Sequence, residues 1–170
     1  MIRNIMIGLI LFTSISFGQQ CTRTGIDEKT GKPILIGLFN RDAFQDSSYA
    51  WWFNSGYKFY STDSTVVNEL DSVDLGSINV TIVMGTWCSD SRREMPRFFK
   101  IIDELKIPKE KILIIGVNRK LKSDGDDISS LNIKRVPTFI FYENQKEIGR
   151  IIETPEVSLE NDMLKILKKG

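Results

Sequence analysis

The chain has 170 residues, of which 41% are hydrophobic and 26% are charged, and its formal net charge at pH 7 is +1. This length suits one domain with its own core, and the near-neutral charge lacks the basic footprint of a nucleic-acid-binding protein. The sequence contains no histidine, which excludes Cys-His and Ser-His nucleophile pairs and histidine metal sites. With only two cysteines, a thiolate zinc site within one chain is not expected either. We therefore expect no metal and no cofactor.

Residues 1–18 predict a secretory signal peptide. Arg3 precedes an apolar run that ends at Phe17, and small residues stand at Ser16 and Gly18. Because an apolar run of about 13 residues is short for a membrane-spanning helix, a cleaved signal is favoured over an N-terminal anchor. We expect a soluble protein that is exported to the periplasm or secreted, where disulfides are tolerated.

Cys21 follows this segment and leaves a minor alternative open. A lipoprotein site needs a small residue directly before its cysteine, and Gln20 stands there. Lipidation is therefore disfavoured, and membrane contact is expected only if Cys21 is lipidated. An unpaired cysteine in an N-terminal tail is a further interpretation.

Residues 19–56 predict an N-terminal extension that packs on the main domain. The stretch DEKTGKP (27–33) is rich in turn-forming residues, and KPILIGLF (32–39) predicts a short strand. A dense group of aromatic residues follows, which favours packing against a sheet over a ligand platform. The group comprises Phe44, Tyr49, Trp51, Trp52, Phe53, Tyr57, Phe59 and Tyr60.

Residues 57–170 predict the main domain, because strand and helix patterns alternate along them. The predicted strands are 57–60, 79–85, 111–117, 138–143 and 146–153, and the predicted helices are 64–73, 88–105, 123–133 and 158–169. The strands predicted at 79–85 and 111–117 are near-continuous apolar runs, as expected for a sheet that is covered on both faces. The order indicates an α/β fold with a mixed sheet flanked by helices, which ends in a hairpin and a closing helix.

Cys88 lies where a buried strand ends and a helix begins, directly after Trp87. The unpaired backbone N–H groups at a helix start favour a thiolate. Arg92 lies four residues further on the same helical face, where its charge favours the thiolate again. Asp90 opposes this effect, but its spacing directs it elsewhere on the helix. The pattern predicts a reactive cysteine, with a buried inert thiol as the alternative.

Two prolines extend the pattern. Pro96 lies inside the predicted helix, eight residues after the cysteine, where a proline should produce a kink. Pro137 lies between a valine and a threonine at the start of a strand, where a proline is tolerated and can adopt the cis form.

These features together resemble the thioredoxin family. The family shares a strand that leads to Trp-Cys at a helix start, a proline inside that helix, and a Val-Pro-Thr stretch before an antiparallel hairpin. The resemblance covers about residues 57–168 and implies a thioredoxin-like fold. It implies that Cys88 is the attacking cysteine and that Trp87 is the tryptophan before it. It also implies that Pro137 is a cis-proline beside the sulfur and that the backbone of Val136 pairs with a bound peptide.

The sequence departs from the family at two positions. Ser91 occupies the position of the resolving cysteine, so the usual dithiol is absent. Ile82 stands where thioredoxins keep a buried acid that helps proton transfer. We expect Ser91 to hydrogen-bond the Cys88 thiolate, and we expect a mixed disulfide to be resolved by an external thiol or by Cys21, 67 residues earlier.

Several functions remain open on this basis. The leading prediction is an exported, monomeric thiol–disulfide oxidoreductase that uses Cys88 alone on protein or low-molecular-weight thiols and disulfides. The main alternative is a redox-inactive thioredoxin-like module that holds a peptide or protein partner in the groove at Pro137. A monothiol glutaredoxin-like role with an iron–sulfur cluster ranks last, because export argues against it. Peroxide reduction is disfavoured because Gly85 replaces the usual threonine. No nucleic-acid partner is expected.

Overall fold

The structure, a computed structural model, describes residues 23–168. The predicted signal peptide and Cys21 lie outside this range, so both stay predictions. Within the range, none of the helices has the length and apolar character that crossing a membrane requires.

Ten regular elements form the described part of the chain. The strands are β1 (Arg23–Ile26), β2 (Pro33–Phe39), β3 (Ile78–Met84), β4 (Ile112–Gly116), β5 (Thr138–Glu143) and β6 (Lys146–Ile152). The helices are α1 (Ser47–Phe59), α2 (Ser64–Asp71), α3 (Ser89–Glu104) and α4 (Leu159–Leu167). Short 3-10 segments lie at Arg41–Gln45, Lys109–Lys111 and Ser129–Leu131.

The strands form one mixed sheet in the order β1-β2-β4-β3-β5-β6. The neighbours β3 and β4 are parallel, and the other neighbouring pairs are antiparallel. A parallel pair needs a crossover connection, which α3 supplies between β3 and β4. The expected α/β fold, with a mixed sheet flanked by helices, is confirmed, and its central strand leads directly to Cys88.

The main core lies where α1, α3 and α4 pack against the sheet, and aromatic side chains fill much of it. Phe44 is fully buried, with its ring centroid 5.5 Å from Phe39, 5.5 Å from Trp52 and 4.6 Å from Phe53. The prediction that the aromatic segment packs against the sheet is therefore confirmed for its buried members. Trp51 and Phe59 are exceptions, because 66% of the first and 77% of the second are exposed.

The proline inside α3 lies at a close helix contact. The helix continues past Pro96 to Glu104. A Cβ atom at Gly56 of α1 would lie 2.6 Å from Cγ of Pro96, so only glycine permits this approach of the two helices.

The strand predicted at 57–60 is wrong, because these residues end α1 and lead out of it. Asp46 caps this helix, and its buried side chains at Tyr49, Trp52 and Phe53 follow the helical period. A continuous apolar stripe of this kind outweighs the short alternation of the last four residues. The boundary expected after residue 56 lies within α1, and β1 and β2 of the expected extension are strands of the sheet itself.

The helix predicted at 123–133 is also wrong, because only Ser129–Leu131 forms a single 3-10 turn there. Gly125 has a φ of +80°, which α-helices do not allow. The carboxylate of Asp127 accepts a hydrogen bond from the backbone N–H of Ser129, a local bond that competes with helix formation. Asn132 then adopts the left-handed conformation and ends the turn.

Candidate functional site

Cys88 is the N-cap residue of α3 and is half-buried. Its backbone N–H donates to the Gly85 carbonyl at 2.9 Å, which closes a tight turn between the end of β3 and the helix. Its Sγ donates to the backbone carbonyl of Val136 at 3.2 Å. The structure thus brings together two residues that are 48 positions apart.

Two local features surround the sulfur. The N-terminus of the 16-residue helix α3 is an environment that favours negative charge. The hydrogen bond to the Val136 carbonyl is donated by the S–H group of the thiol. Asp90 in the first turn pairs with Arg93 at 2.8 Å, which compensates much of its negative charge.

The Val136-Pro137 segment lies beside the sulfur and is buried. The peptide bond between these two residues is cis. The hydroxyl of Thr138 donates to the carbonyl of Arg135 at 2.7 Å, which closes the turn into β5. This segment forms one side of the candidate site.

Ser91 is fully buried, and its Oγ accepts a hydrogen bond from the backbone N–H of Gly85 at 3.3 Å. Among the hydrogen bonds of the described residues, none joins Ser91 to Cys88. The expected contact with the sulfur is absent from the structure. The serine instead connects the turn before Cys88 to the helix after it.

Arg92 lies on α3 as predicted, but its Nε donates to the backbone carbonyl of Thr86 at 2.6 Å. The hydroxyl oxygen of Thr86 in turn accepts from the backbone N–H of Leu35 in β2 at 3.2 Å. Arg92 therefore supports the turn that carries Cys88, and the described residues contain no hydrogen bond from its guanidinium to the sulfur.

Two residues that sequence reasoning missed complete the site. The guanidinium of Arg119 lies over the ring of Trp87, 4.8 Å from its centroid. The Nε and Nη2 atoms of Arg119 donate to the two carboxylate oxygens of Asp27 at 2.6 and 2.9 Å. The indole N–H of Trp87 donates to the carbonyl of Val117 at 2.7 Å. The tryptophan is thus held by one hydrogen bond and one stacked cation.

Asp27 and Arg119 stabilise each other's charged forms. Hydrogen bonds from Arg119 and then from Thr30 hold the pKa of Asp27 well below its usual range, although only 2% of Asp27 is exposed. Hydrogen bonding to Asp27 raises the pKa of Arg119, and electrostatic interactions with Asp27 and with the Cys88 sulfur raise it further. A permanent positive charge therefore lies within electrostatic range of the cysteine.

A partial signal for Arg119 exists in the sequence. The residue closely follows β4, and Trp87 closely follows β3. Since the carboxyl ends of neighbouring parallel strands meet at one edge of a sheet, two such residues come close together. Asp27 carries no comparable signal, because it lies 92 positions from Arg119 in a segment that shows only turn-forming character.

The position of Ile82 agrees with the expected departure from thioredoxins. Ile82 is fully buried in β3, and its side chain belongs to the main core. A carboxylate is therefore absent at that position.

No protein-family model matches this chain, and no curated protein matches it in sequence. Among solved structures, a protein of unknown function from Pseudomonas aeruginosa is similar with a TM-score of 0.59 at 12% identity, over 77% of this chain and 92% of that one. An HIV epitope scaffold has a TM-score of 0.59 at 11% identity, over 78% and 94%. Thioredoxin O1 from Arabidopsis thaliana has a TM-score of 0.40 at 20% identity, over 64% and 95%.

At these identities a similar structure shows the fold alone. The helix crossover between β3 and β4 and the antiparallel β5–β6 pair match the expected arrangement. The described part of the chain therefore has a thioredoxin-like α/β fold.

Proposed function

We propose that the protein is a thiol–disulfide oxidoreductase that acts through one nucleophilic cysteine, Cys88. The observation that supports this most directly is the position of its sulfur. Cys88 is the free cysteine of residues 23–168, it begins α3, and it contacts the Val136-Pro137 segment. Trp87 and the stacked cation of Arg119 lie beside it.

The proposed chemistry is disulfide exchange. Cys88 first loses its proton to solvent, which also breaks the hydrogen bond to Val136. The thiolate attacks one sulfur of a substrate disulfide, so that a new S–S bond forms as the substrate S–S bond breaks. The electron pair leaves on the second substrate sulfur as a thiolate. The N-terminus of α3 and the charge of Arg119 stabilise the attacking thiolate.

The mixed disulfide needs a second thiol for its release. Ser91 stands where a resolving cysteine would be, and a hydroxyl does not carry out this exchange. We propose that a small thiol or a partner protein resolves it, with Cys21 as an intramolecular candidate. The reaction would take place outside the cytoplasm, in the compartment that residues 1–18 predict.

A redox-inactive binding module is the second candidate. The Sγ–H···O bond from Cys88 to Val136 favours it, because this bond stabilises the neutral thiol. The serine at position 91 and the isoleucine at position 82 agree with it as well.

Alkylation of Cys88 distinguishes these two candidates. The full chain carrying Cys21→Ser is treated with iodoacetamide between pH 5 and pH 10, and the rate constant is followed by mass spectrometry, with Cys88→Ser added as a blank. We expect a midpoint of the pH dependence below the value of about 8.5 for a free cysteine. An ordinary midpoint, or alkylation only in urea, would support the binding module and contradict the oxidoreductase.

A further inference from the structure

A cleft of about 260 Å³ lies beside Trp87, next to the site described above. The turn between β1 and β2 forms one wall, the first turns of α1 form another, and the Thr86-Trp87 turn with Arg92 forms the third. Trp87, which directly precedes Cys88, and Arg92, four residues after it on α3, both line this cleft, so the cleft adjoins the turn that carries the cysteine. The proposed chemistry makes no use of this space.

The cleft presents positive charge. Lys32 and Arg92 both line it, and in residues 23–168 neither forms an ion pair. The single hydrogen bond of the Arg92 Nε to Thr86 leaves the two Nη groups available. The acidic lining residue Asp27 is already compensated by Arg119. A guanidinium with free Nη groups suits a carboxylate, which it can bind through two hydrogen bonds.

The walls of the cleft are aromatic. Trp51 is 66% exposed at its rim, while the neighbouring Trp52 is buried and Trp87 is half-buried. Exposed tryptophan is enriched where proteins bind partners, because its ring buries a large area with little loss of conformational freedom. Such walls favour a flat or apolar body next to the charged group.

A buried hydroxyl without a partner lies among the lining residues. Tyr49 is 3% exposed, and its hydroxyl has no hydrogen-bond partner in the described part of the chain. Burial raises the pKa of Tyr49 to about 12, so the group remains a donor at neutral pH. Buried hydroxyls are nearly always paired, and an acceptor atom deep in the cleft would supply a partner.

We propose that this cleft is a substrate subsite, which holds the carboxylate and the aromatic or apolar body of a small disulfide or thiol while its sulfur exchanges with Cys88. Arg92 and Lys32 bind the carboxylate, and Trp51 and Trp87 contact the body. This inference rests on the proposed function, because it places the reacting sulfur of the substrate at Cys88.

Two aromatic disulfides test the subsite in the full chain with Cys21→Ser. One is 5,5′-dithiobis(2-nitrobenzoate), which carries a carboxylate on each ring, and the other is 4,4′-dithiodipyridine, which carries none. In each reaction Cys88 forms an S–S bond to one ring sulfur, the S–S bond of the probe breaks, and an aromatic thiolate or its thione form leaves and is followed by its absorbance. The measured quantity is the ratio of the rate constants for the carboxylate and the neutral probe, normalised to the urea-unfolded protein.

We expect Lys32→Gln to lower this ratio by about 2- to 5-fold, as for loss of one exposed ion pair. Arg92→Gln should lower it by about tenfold, because a charge-assisted hydrogen bond is lost. Lys58→Gln, which removes the same charge from the far end of α1, should leave the ratio unchanged. Both effects should weaken in high salt.

Two substitutions on α1, one inside the cleft and one outside it, test the aromatic wall. Trp51→Ala should slow both probes, whereas Phe59→Ala, which removes a ring that is 77% exposed outside the cleft, should slow neither. Urea midpoints near that of the parent would show that all five variants are folded.

The outcomes separate the two proposals. If neither probe reacts with the folded protein, the proposed oxidoreductase function is wrong. If both probes react and the ratio stays the same in Lys32→Gln and Arg92→Gln, the subsite is wrong while the function stands. A fall in the ratio in both variants, with Lys58→Gln unchanged, supports the subsite.

Discussion

The two faces of the sheet differ strongly in how they are covered. On one face, helices and the Arg41–Gln45 segment bury a large aromatic core around Phe44. On the other face, a small cluster of four buried residues supports the partly buried Trp87 and Cys88. This small cluster consists of Val83, Ile115, Val117 and Val136.

The difference arises from what lies above each face. Alternate side chains of β3 point to opposite sides, so Ile82 joins the main core while Val83 joins the small cluster. Partly buried residues such as Ile128 and Ile133 pack on the small cluster, in the region where the predicted helix did not form. The main core therefore lies on one side of the sheet, and the turn that carries Cys88 is supported on the other side. The side with fewer buried contacts is expected to unfold locally first.

The largest effect on stability should come from Phe44→Ala in the main core. The ring is fully buried among other aromatic rings, and its removal should cost about 3–5 kcal/mol of unfolding free energy. Urea denaturation measures this loss. Phe59→Ala, which removes an exposed ring, should change stability by less than about 0.5 kcal/mol. Similar losses in the two variants would contradict the assignment of the core.

An intermediate effect should come from valine-to-alanine changes placed on the two faces. Val80 is buried in the main core and Val117 in the small cluster, and each substitution should cost about 1–3 kcal/mol. Only Val117→Ala should also change the alkylation rate of Cys88, because the Val117 side chain belongs to the cluster against which Trp87 and Cys88 pack. Equal alkylation rates in both variants would show that the small cluster does not position the site.

The smallest effect should come from Asp27→Asn and should depend on pH. The folded-state pKa of Asp27 is lowered, mainly by hydrogen bonding to Arg119. Its stabilising contribution is therefore complete above the unfolded pKa of about 3.9 and is lost as the pH falls towards the folded value. Between pH 7 and pH 3, the urea midpoint of the parent protein should fall further than the urea midpoint of the Asp27→Asn variant.

The control for this prediction is Glu147→Gln, which removes a more exposed pair with Arg150. It should leave the acid-induced loss of stability close to that of the parent. An acid-induced loss in Asp27→Asn as large as in the parent would show that this carboxylate contributes nothing to the pH dependence.

Much of the site could be predicted because its signals are local. The apolar run of β3, the helical spacing that follows Cys88, and the Val136-Pro137 dipeptide at a strand start all lie in short stretches of sequence. The side chains of Ser91 and Arg92 were placed on the correct helix. Their partners were not predicted, because both bind backbone groups of the preceding turn rather than the sulfur.

The sequence by itself determined the alternation of strands and helices and the start of α3 at Cys88. It also determined that no second cysteine stands at position 91. These features depend on periodicity and composition, which are properties of neighbouring residues. Only the tertiary structure decided that residues 57–60 complete a helix, since the continuous apolar stripe of α1 has to face the core. It also decided that Asp27 would reach Arg119 across 92 positions and support Trp87. A contact of that kind depends on which strands become neighbours in the sheet, and long-range pairing leaves no periodic signal in the chain.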